Sequence, residues 1–206
     1  MKTRSKVLLT LACAVMLVAA SVMGTLAYLT DQDTVTNTFV VGKVDITLKE
    51  SPIQYGQSGG ITYGNPAEGT NNQYRLIPGK TYRKDPTVAV VEGSETCWLF
   101  VKMTTTENTD TYITYDSQLK ENLGWTQGDG KKIPSTVWYR MVNASDTTRS
   151  WKLLGNDQIT IDADAVDMDS MTTAATAKLE YTAYAIQYEG FEGNAATAWA
   201  TVSDAA

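Results

Sequence analysis

Apolar and polar side chains alternate through residues 40–49. Val44, Ile46 and Leu48 fall on one side of an extended chain, and the polar residues between them fall on the other. This period of two predicts a strand with one buried face and one face in water, which is typical of antiparallel sheets.

Further strands are predicted where apolar and β-branched residues run between turn residues. They cover residues 96–106, 87–91, 137–142, 150–154, 158–162 and 177–187. The first of these has large apolar groups on both faces near Trp98 and Phe100, so we expect it to be covered on both sides. A helical turn is predicted at 117–122, and Asn194 is the expected N-cap of a short helix whose Trp199 packs on the sheet. About eight strands with one or two short helices predict an all-β, jelly-roll-like antiparallel β-sandwich.

Residues 51–73 are rich in Gly and Asn, which predicts a long hairpin or loop. Tyr55, Tyr63 and Tyr74 lie in or beside this stretch. These rings could form a recognition surface, but aromatic side chains in such positions more often cover a neighbouring core.

The N-terminus has the pattern of an export signal. Lys2, Arg4 and Lys6 precede an apolar run over residues 7–23, and small residues follow. This order predicts a signal peptide helix, residues 1–27, cut between Ala27 and Tyr28 to leave one domain, residues 28–206. The alternatives are an uncleaved membrane anchor, since the run nearly reaches spanning length, and a lipoprotein modified at Cys13. Cys13 lies within the run rather than at its end, which disfavours lipidation.

Processing changes the charge of the chain. The leader carries three basic residues and no acidic ones, so Lys+Arg falls from 17 to 14 while Asp+Glu stays at 23, a net charge of −9. This balance argues against binding to nucleic acid, and it limits membrane contact to the uncleaved leader. One cysteine, Cys97, would remain on the apolar face of its strand, where we expect inert packing.

The residues that most catalysis needs are missing. The chain contains no histidine, which excludes a Ser-His-Asp triad, a Cys-His dyad and an HExxH zinc site. No cofactor is predicted. A weak calcium site is the remaining metal candidate, but the spacing of its carboxylates misses the EF-hand loop, so a solvated connector is the preferred interpretation. Its four residues are Asp162, Asp164, Asp167 and Asp169.

Four segments resemble a known family. Residues 24–31 (GTLAYLTD) and 37–46 (NTFVVGKVDI) are similar to the SipW-dependent signal and mature N-terminus of TasA/camelysin-type proteins from Gram-positive bacteria. Residues 77–86 (IPGKTYRKDP) and 181–199 (YTAYAIQ, then Gly190-Phe191 and Ala198-Trp199) resemble clostridial members. Residues 51–73 and 107–176 carry no motif of that family.

The resemblance implies a SipW-type signal peptidase as processing partner, a jelly-roll fold, and a secreted or cell-surface protein. It implies a biofilm-matrix or surface-fibre subunit that assembles as a homo-oligomer by N-terminal strand exchange, with cell-wall or matrix partners. The assembly strand would carry Phe39, Val41, Val44, Ile46 and Leu48. Camelysin is described as a metallopeptidase, an activity that the absence of histidine disfavours here, so we expect no enzyme. The remaining alternative is a monomeric extracellular module that binds a glycan or protein through Tyr55 and Tyr63.

Overall fold

The computed structural model describes residues 12–16, 43–121, 123–164 and 177–204, and the chain divides into two compact units. The first unit is Met1–Val40, in which residues 12–16 are helical and exposed. The second unit is Val41–Ala206. Its described elements are β1 (Ile46–Glu50), β2 (Ile53–Tyr55), β3 (Ile61–Tyr63), β4 (Ala67–Glu68), β5 (Thr81–Arg83), β6 (Thr87–Val90), β7 (Cys97–Thr105), α1 (Thr109–Tyr112), β8 (Ile113–Ser117), β9 (Thr126–Gln127), β10 (Val137–Val142), β11 (Ser150–Lys152), β12 (Leu154–Ile161), β13 (Leu179–Gln187) and α2 (Ala195–Asp204).

All the strand pairs described are antiparallel. The first sheet has the order β11-β6-β1-β4, the second β13-β7-β10-β9 and the third β5-β12-β8, while β2 and β3 form a separate hairpin. The longest pairing joins β13 to β7 over nine residue pairs, from Leu179 opposite Thr105 to Gln187 opposite Cys97. The predicted all-β antiparallel sandwich with short helices is therefore confirmed.

One face of the second sheet contributes to the main core. Leu99 and Val101 of β7 pack there with Val88 of the first sheet and Ile159 of the third. Because successive side chains of a strand point to opposite faces, the neighbouring Phe100 faces away from this core. Burial of apolar surface from all three sheets in a single cluster is the main stabilising contribution to the domain.

The opposite face of the second sheet is covered by the C-terminal helix α2. Asn194 caps this helix, because its side-chain oxygen accepts a hydrogen bond from the Thr197 N–H at 3.1 Å. Trp199 then packs against Phe100 and Tyr184, with ring centroids 5.4 Å apart in each pair. The predictions of a strand covered on both sides and of a Trp199 that packs on the sheet are both confirmed.

Truncation of Trp199 should unfold this outer layer. Trp199 is 7% exposed, and removal of a buried Trp side chain costs about 3–5 kcal/mol. We expect Trp199→Ala to lower the free energy of unfolding in urea by that amount, whereas Thr201→Ala, on the exposed side of the same helix, should change it by under about 0.5 kcal/mol. A loss below about 1 kcal/mol in Trp199→Ala would show that α2 does not secure the sheet.

Two local predictions differ from the structure in their details. Residues 118–121 form a hydrogen-bonded turn, in which the Lys120 N–H donates to the Ser117 carbonyl at 3.1 Å, but the short helix lies earlier, at α1, and Ser117 ends strand β8. The sequence of β8 alternates, with Ile113 and Tyr115 partly buried, but the strand exists through its pairing with the distant β12. The two strands expected at 150–154 and 158–162 are instead β11 and a longer β12, which begins at Leu154 and crosses an irregularity where Asn156 and Asp157 have positive φ.

Candidate functional site

A cleft of about 870 Å³ opens beside the ends of β1 and β13. This volume lies within the range of about 300–1,000 Å³ that is usual for ligand sites. Its apolar lining includes Leu48, Leu76, Ile113, Ile159, Ile161 and Leu179. Its polar lining is at least as extensive and includes Glu50, Asn72, Tyr74, Lys84, Lys178, Glu180 and Tyr181. A cleft of this size that combines apolar side chains with convergent polar groups is a candidate binding site.

A buried ion pair lies at one end of the cleft. The Lys84 ammonium donates to both carboxylate oxygens of Glu50, at 3.0 and 3.2 Å, and the two side chains are 8% and 13% exposed. Asn72 Nδ2 and the Tyr74 hydroxyl donate to the same carboxylate at 2.7 and 2.9 Å. Four donated hydrogen bonds thus stabilise a charge that would be costly to bury alone.

The position of Glu50 follows from the alternation of β1. Val44, Ile46 and Leu48 point toward the core, and the same period of two brings Glu50 to that face. Sequence reasoning did not single out Glu50, although an acidic residue on the apolar face of a strand is a signal that a buried partner exists. Its partner Lys84 is distant in sequence, so alternation could not identify it.

A second buried carboxylate holds the start of the hairpin in place. Asp85 accepts hydrogen bonds from the Ser51 N–H and hydroxyl, both at 2.7 Å, and from Arg83 at 2.6 Å. Burial raises the pKa of this carboxyl, but the Ser51 hydrogen bonds and the Arg83 charge outweigh burial, so its pKa lies below the usual value. The contacts therefore favour the ionised form.

Asp85 should make the domain sensitive to acid. The pKa of Asp85 is lower in the folded than in the unfolded chain. Asp85 therefore contributes fully to the free energy of unfolding above the unfolded pKa of about 3.9, and this contribution is lost as pH falls toward the lower folded pKa. We expect the free energy of unfolding to fall less steeply below pH 4 in Asp85→Asn than in the parent protein. Equal slopes in urea titrations from pH 6 to pH 3 would contradict this assignment.

Tyr181 contributes a polar group that the fold leaves unsatisfied. The side chain is 9% exposed, and its buried hydroxyl has no hydrogen-bond partner within the described ranges. Burial raises the pKa of this hydroxyl, and the nearby Tyr115 and Glu50 raise it further. The phenol therefore stays protonated and can donate. Unpaired buried polar groups are uncommon in folded proteins, so this hydroxyl is a donor available to a group that enters the cleft.

The backbone of β13 borders the cleft along its free edge. β7 pairs with one edge of β13, and among the residues that the structure describes no strand pairs with the other. Four successive residues, Lys178 to Tyr181, line the cleft; since they alternate between the two faces of the strand, the edge itself must border the space. Glu180 is the one charged residue of β13, and β13 contains no proline. The edge thus lacks the usual protection against pairing with another strand.

The tyrosines of the 51–73 stretch are engaged within the domain. The Tyr55 hydroxyl accepts a hydrogen bond from the Arg75 N–H, and the Tyr63 hydroxyl accepts one from the Arg83 N–H. The guanidinium of Arg75 lies 4.2 Å from the Tyr55 ring centre. These contacts fasten the hairpin β2–β3 to the segment that leads into β5, as expected for tyrosines that cover a neighbouring core.

The predicted metal site is only partly within the described residues. Asp162 and Asp164 are there, and the Asp164 N–H donates to Asp162 at 2.7 Å, whereas Asp167 and Asp169 lie outside. The described ranges contain no group of three His, Cys, Asp or Glu residues placed to hold a metal. Cys97 is fully buried, and burial raises the pKa of its thiol to about 11, which is the inert state predicted for it.

The leader and the first part of the predicted assembly strand also lie outside the described residues. This holds for the cleavage site Ala27–Tyr28 and for Phe39 and Val41, whereas Ile46 and Leu48 lie in β1, paired with β6 of the same chain. No helix within the described residues is long and apolar enough to cross a membrane.

Comparison of the chain with protein-family models, with curated proteins and with solved structures found no match.

Proposed function

We propose that this protein is a secreted or cell-surface structural subunit that polymerises by strand exchange. A SipW-type signal peptidase would cut after Ala27 and free an N-terminal arm, residues 28–42. The arm of one copy would then add to the free edge of β13 in the next copy and lie in the adjoining cleft. The observation that supports this most directly is the free edge of β13, a nine-residue strand with one charged residue, beside a cleft that has apolar groups such as Leu48 and Leu179.

The arm has the properties of a strand that could enter this cleft. Phe39 and Val41 share one face in the period-two pattern and would place apolar side chains against the cleft lining. Main-chain hydrogen bonds to β13 would supply affinity, and the side chains would supply selectivity. Residues from Ile46 onward already belong to the first sheet, so the exchanged segment has to end before β1.

Electron microscopy of the mature protein, residues 28–206, tests the proposal. Fibres are expected above a threshold concentration. Because each copy carries a net charge of −9, copies repel one another, and raising the salt from 20 to 150 mM should lower that threshold by screening the repulsion. A protein that stays monomeric in sedimentation at all concentrations and salt levels would contradict a role as a fibre subunit.

A further inference from the structure

Three observations about the cleft point to the chemistry of its occupant. Tyr181 presents a buried hydroxyl donor that has no partner in the described part of the chain. The rest of the wall combines apolar side chains, such as Leu48 and Leu179, with polar ones. Glu50, on the same wall, carries carboxylate oxygens that can accept a hydrogen bond. An occupant that suits this cleft is amphipathic and carries, beside Tyr181, a polar group that both accepts and donates.

The arm carries such a polar group at a suitable spacing. Asn37 lies two residues before Phe39 and four before Val41, so all three share one face of an extended strand. A strand that directs Phe39 and Val41 into the cleft must direct Asn37 to the same side. Its amide would then be buried, and an amide buried without partners opposes docking.

We propose that Asn37 of one copy hydrogen-bonds to the Tyr181 hydroxyl of the next copy, and that this pair sets the register of the docked strand. The inference rests on the proposed function, since it requires the arm to enter the cleft. The Asn37 carbonyl accepts from Tyr181, and the Glu50 carboxylate is available to the amide N–H groups. A slip of one residue would turn Phe39 and Val41 out of the cleft and forfeit their apolar burial. A slip of two residues would move Phe39 against Tyr181 and leave the Tyr181 hydroxyl unpaired.

A double-mutant cycle on the mature protein tests this pair. The variants are Tyr181→Phe, Asn37→Leu and the two combined, and the readout is the critical concentration for assembly by sedimentation. Each single variant should raise that concentration about ten-fold, because each leaves the other group buried without a partner. The double variant should be no worse than either single variant. Tyr184→Phe, on the opposite face of β13, is the matched control and should leave the critical concentration unchanged.

Unfolding of the dissociated subunit separates this role from a structural one. Tyr181→Phe should not lower the stability of the monomer in urea, because the hydroxyl makes no hydrogen bond to the described residues of the subunit that would be lost. Additive effects of Tyr181→Phe and Asn37→Leu on assembly would overturn the pair, as would a monomer that Tyr181→Phe destabilises. Assembly of a protein that begins at Lys43 would instead overturn strand exchange itself, so the two failures can be told apart.

Discussion

A protein that begins at Lys43 is expected to fold like the mature protein and to remain monomeric at concentrations at which the mature protein forms fibres. The truncation removes residues 28–42 and leaves every described strand intact, because the first strand begins at Ile46. The new N-terminus, Lys43, lies close to Val41, the first residue of the second compact unit. The loss of assembly should be complete, since the whole donor strand is absent while the acceptor edge remains.

A variant of the mature protein that keeps its full length and changes only side chains of the arm complements the truncation. Phe39→Asp combined with Val41→Asp places two charges on the face that would enter the cleft against apolar residues such as Leu48 and Leu179, and burial of unpaired charges is strongly unfavourable. This variant should also fail to assemble, whereas Thr38→Asp with Val40→Asp, on the opposite face, should retain assembly in part. Urea unfolding should give equal stabilities for all of these proteins. Fibres from the protein that begins at Lys43 would exclude the arm as the donor.

Loss of the Glu50 charge should lower the free energy of unfolding strongly. In Glu50→Gln the Lys84 ammonium, 8% exposed, loses its counter-ion and remains buried. Breaking a buried pair from one side typically costs about 3–5 kcal/mol, which is a large fraction of the 5–15 kcal/mol that stabilises an ordinary domain. We expect a drop of that size in the free energy of unfolding in urea, together with weaker assembly because the cleft wall is disturbed.

A surface ion pair provides the matched control. Lys43 and Asp45 lie 2.7 Å apart with side chains 77% and 46% exposed, and exposed pairs contribute about 0–1 kcal/mol. Asp45→Asn should therefore change stability by less than about 1 kcal/mol. The combined variant Glu50→Leu with Lys84→Met removes both charges and should be more stable than Glu50→Gln. If Glu50→Gln costs no more than Asp45→Asn, the buried pair is not a determinant of the fold.

Alternation in the sequence located the strands that bury a continuous apolar face. The stretch predicted at 137–142 is β10, and those predicted at 96–106 and 177–187 contain β7 and β13. These strands were predicted correctly because burial in the core imposes a period of two on six or more residues. The helix capped by Asn194 was also predicted correctly, because a side-chain cap is a local interaction that the sequence shows directly.

The cleft could not be predicted in the same way, because its parts meet only through non-local pairing. Glu50 and Lys84 come together when β1 pairs with β6, and Ile159 reaches the cleft through the third sheet. The free edge of β13 is a property of strand order rather than of the strand's own sequence. The short strand β8 was missed since its five residues offer too few alternations to stand out from a polar region.

Cross-linking between two different copies tests most directly whether the arm of one copy lies along β13 of another. One copy carries Thr38→Cys, and the other carries Glu180→Cys or Thr182→Cys, the two neighbours of Tyr181 in β13; the buried Cys97 is common to both. With Asn37 opposite Tyr181, an antiparallel arm brings residue 38 beside residue 180, and a parallel arm brings it beside residue 182. Mild oxidation of a mixture should give a disulfide-linked heterodimer with one of the two partners. Fibres that form without either heterodimer would show that the arm does not lie along β13 in this register.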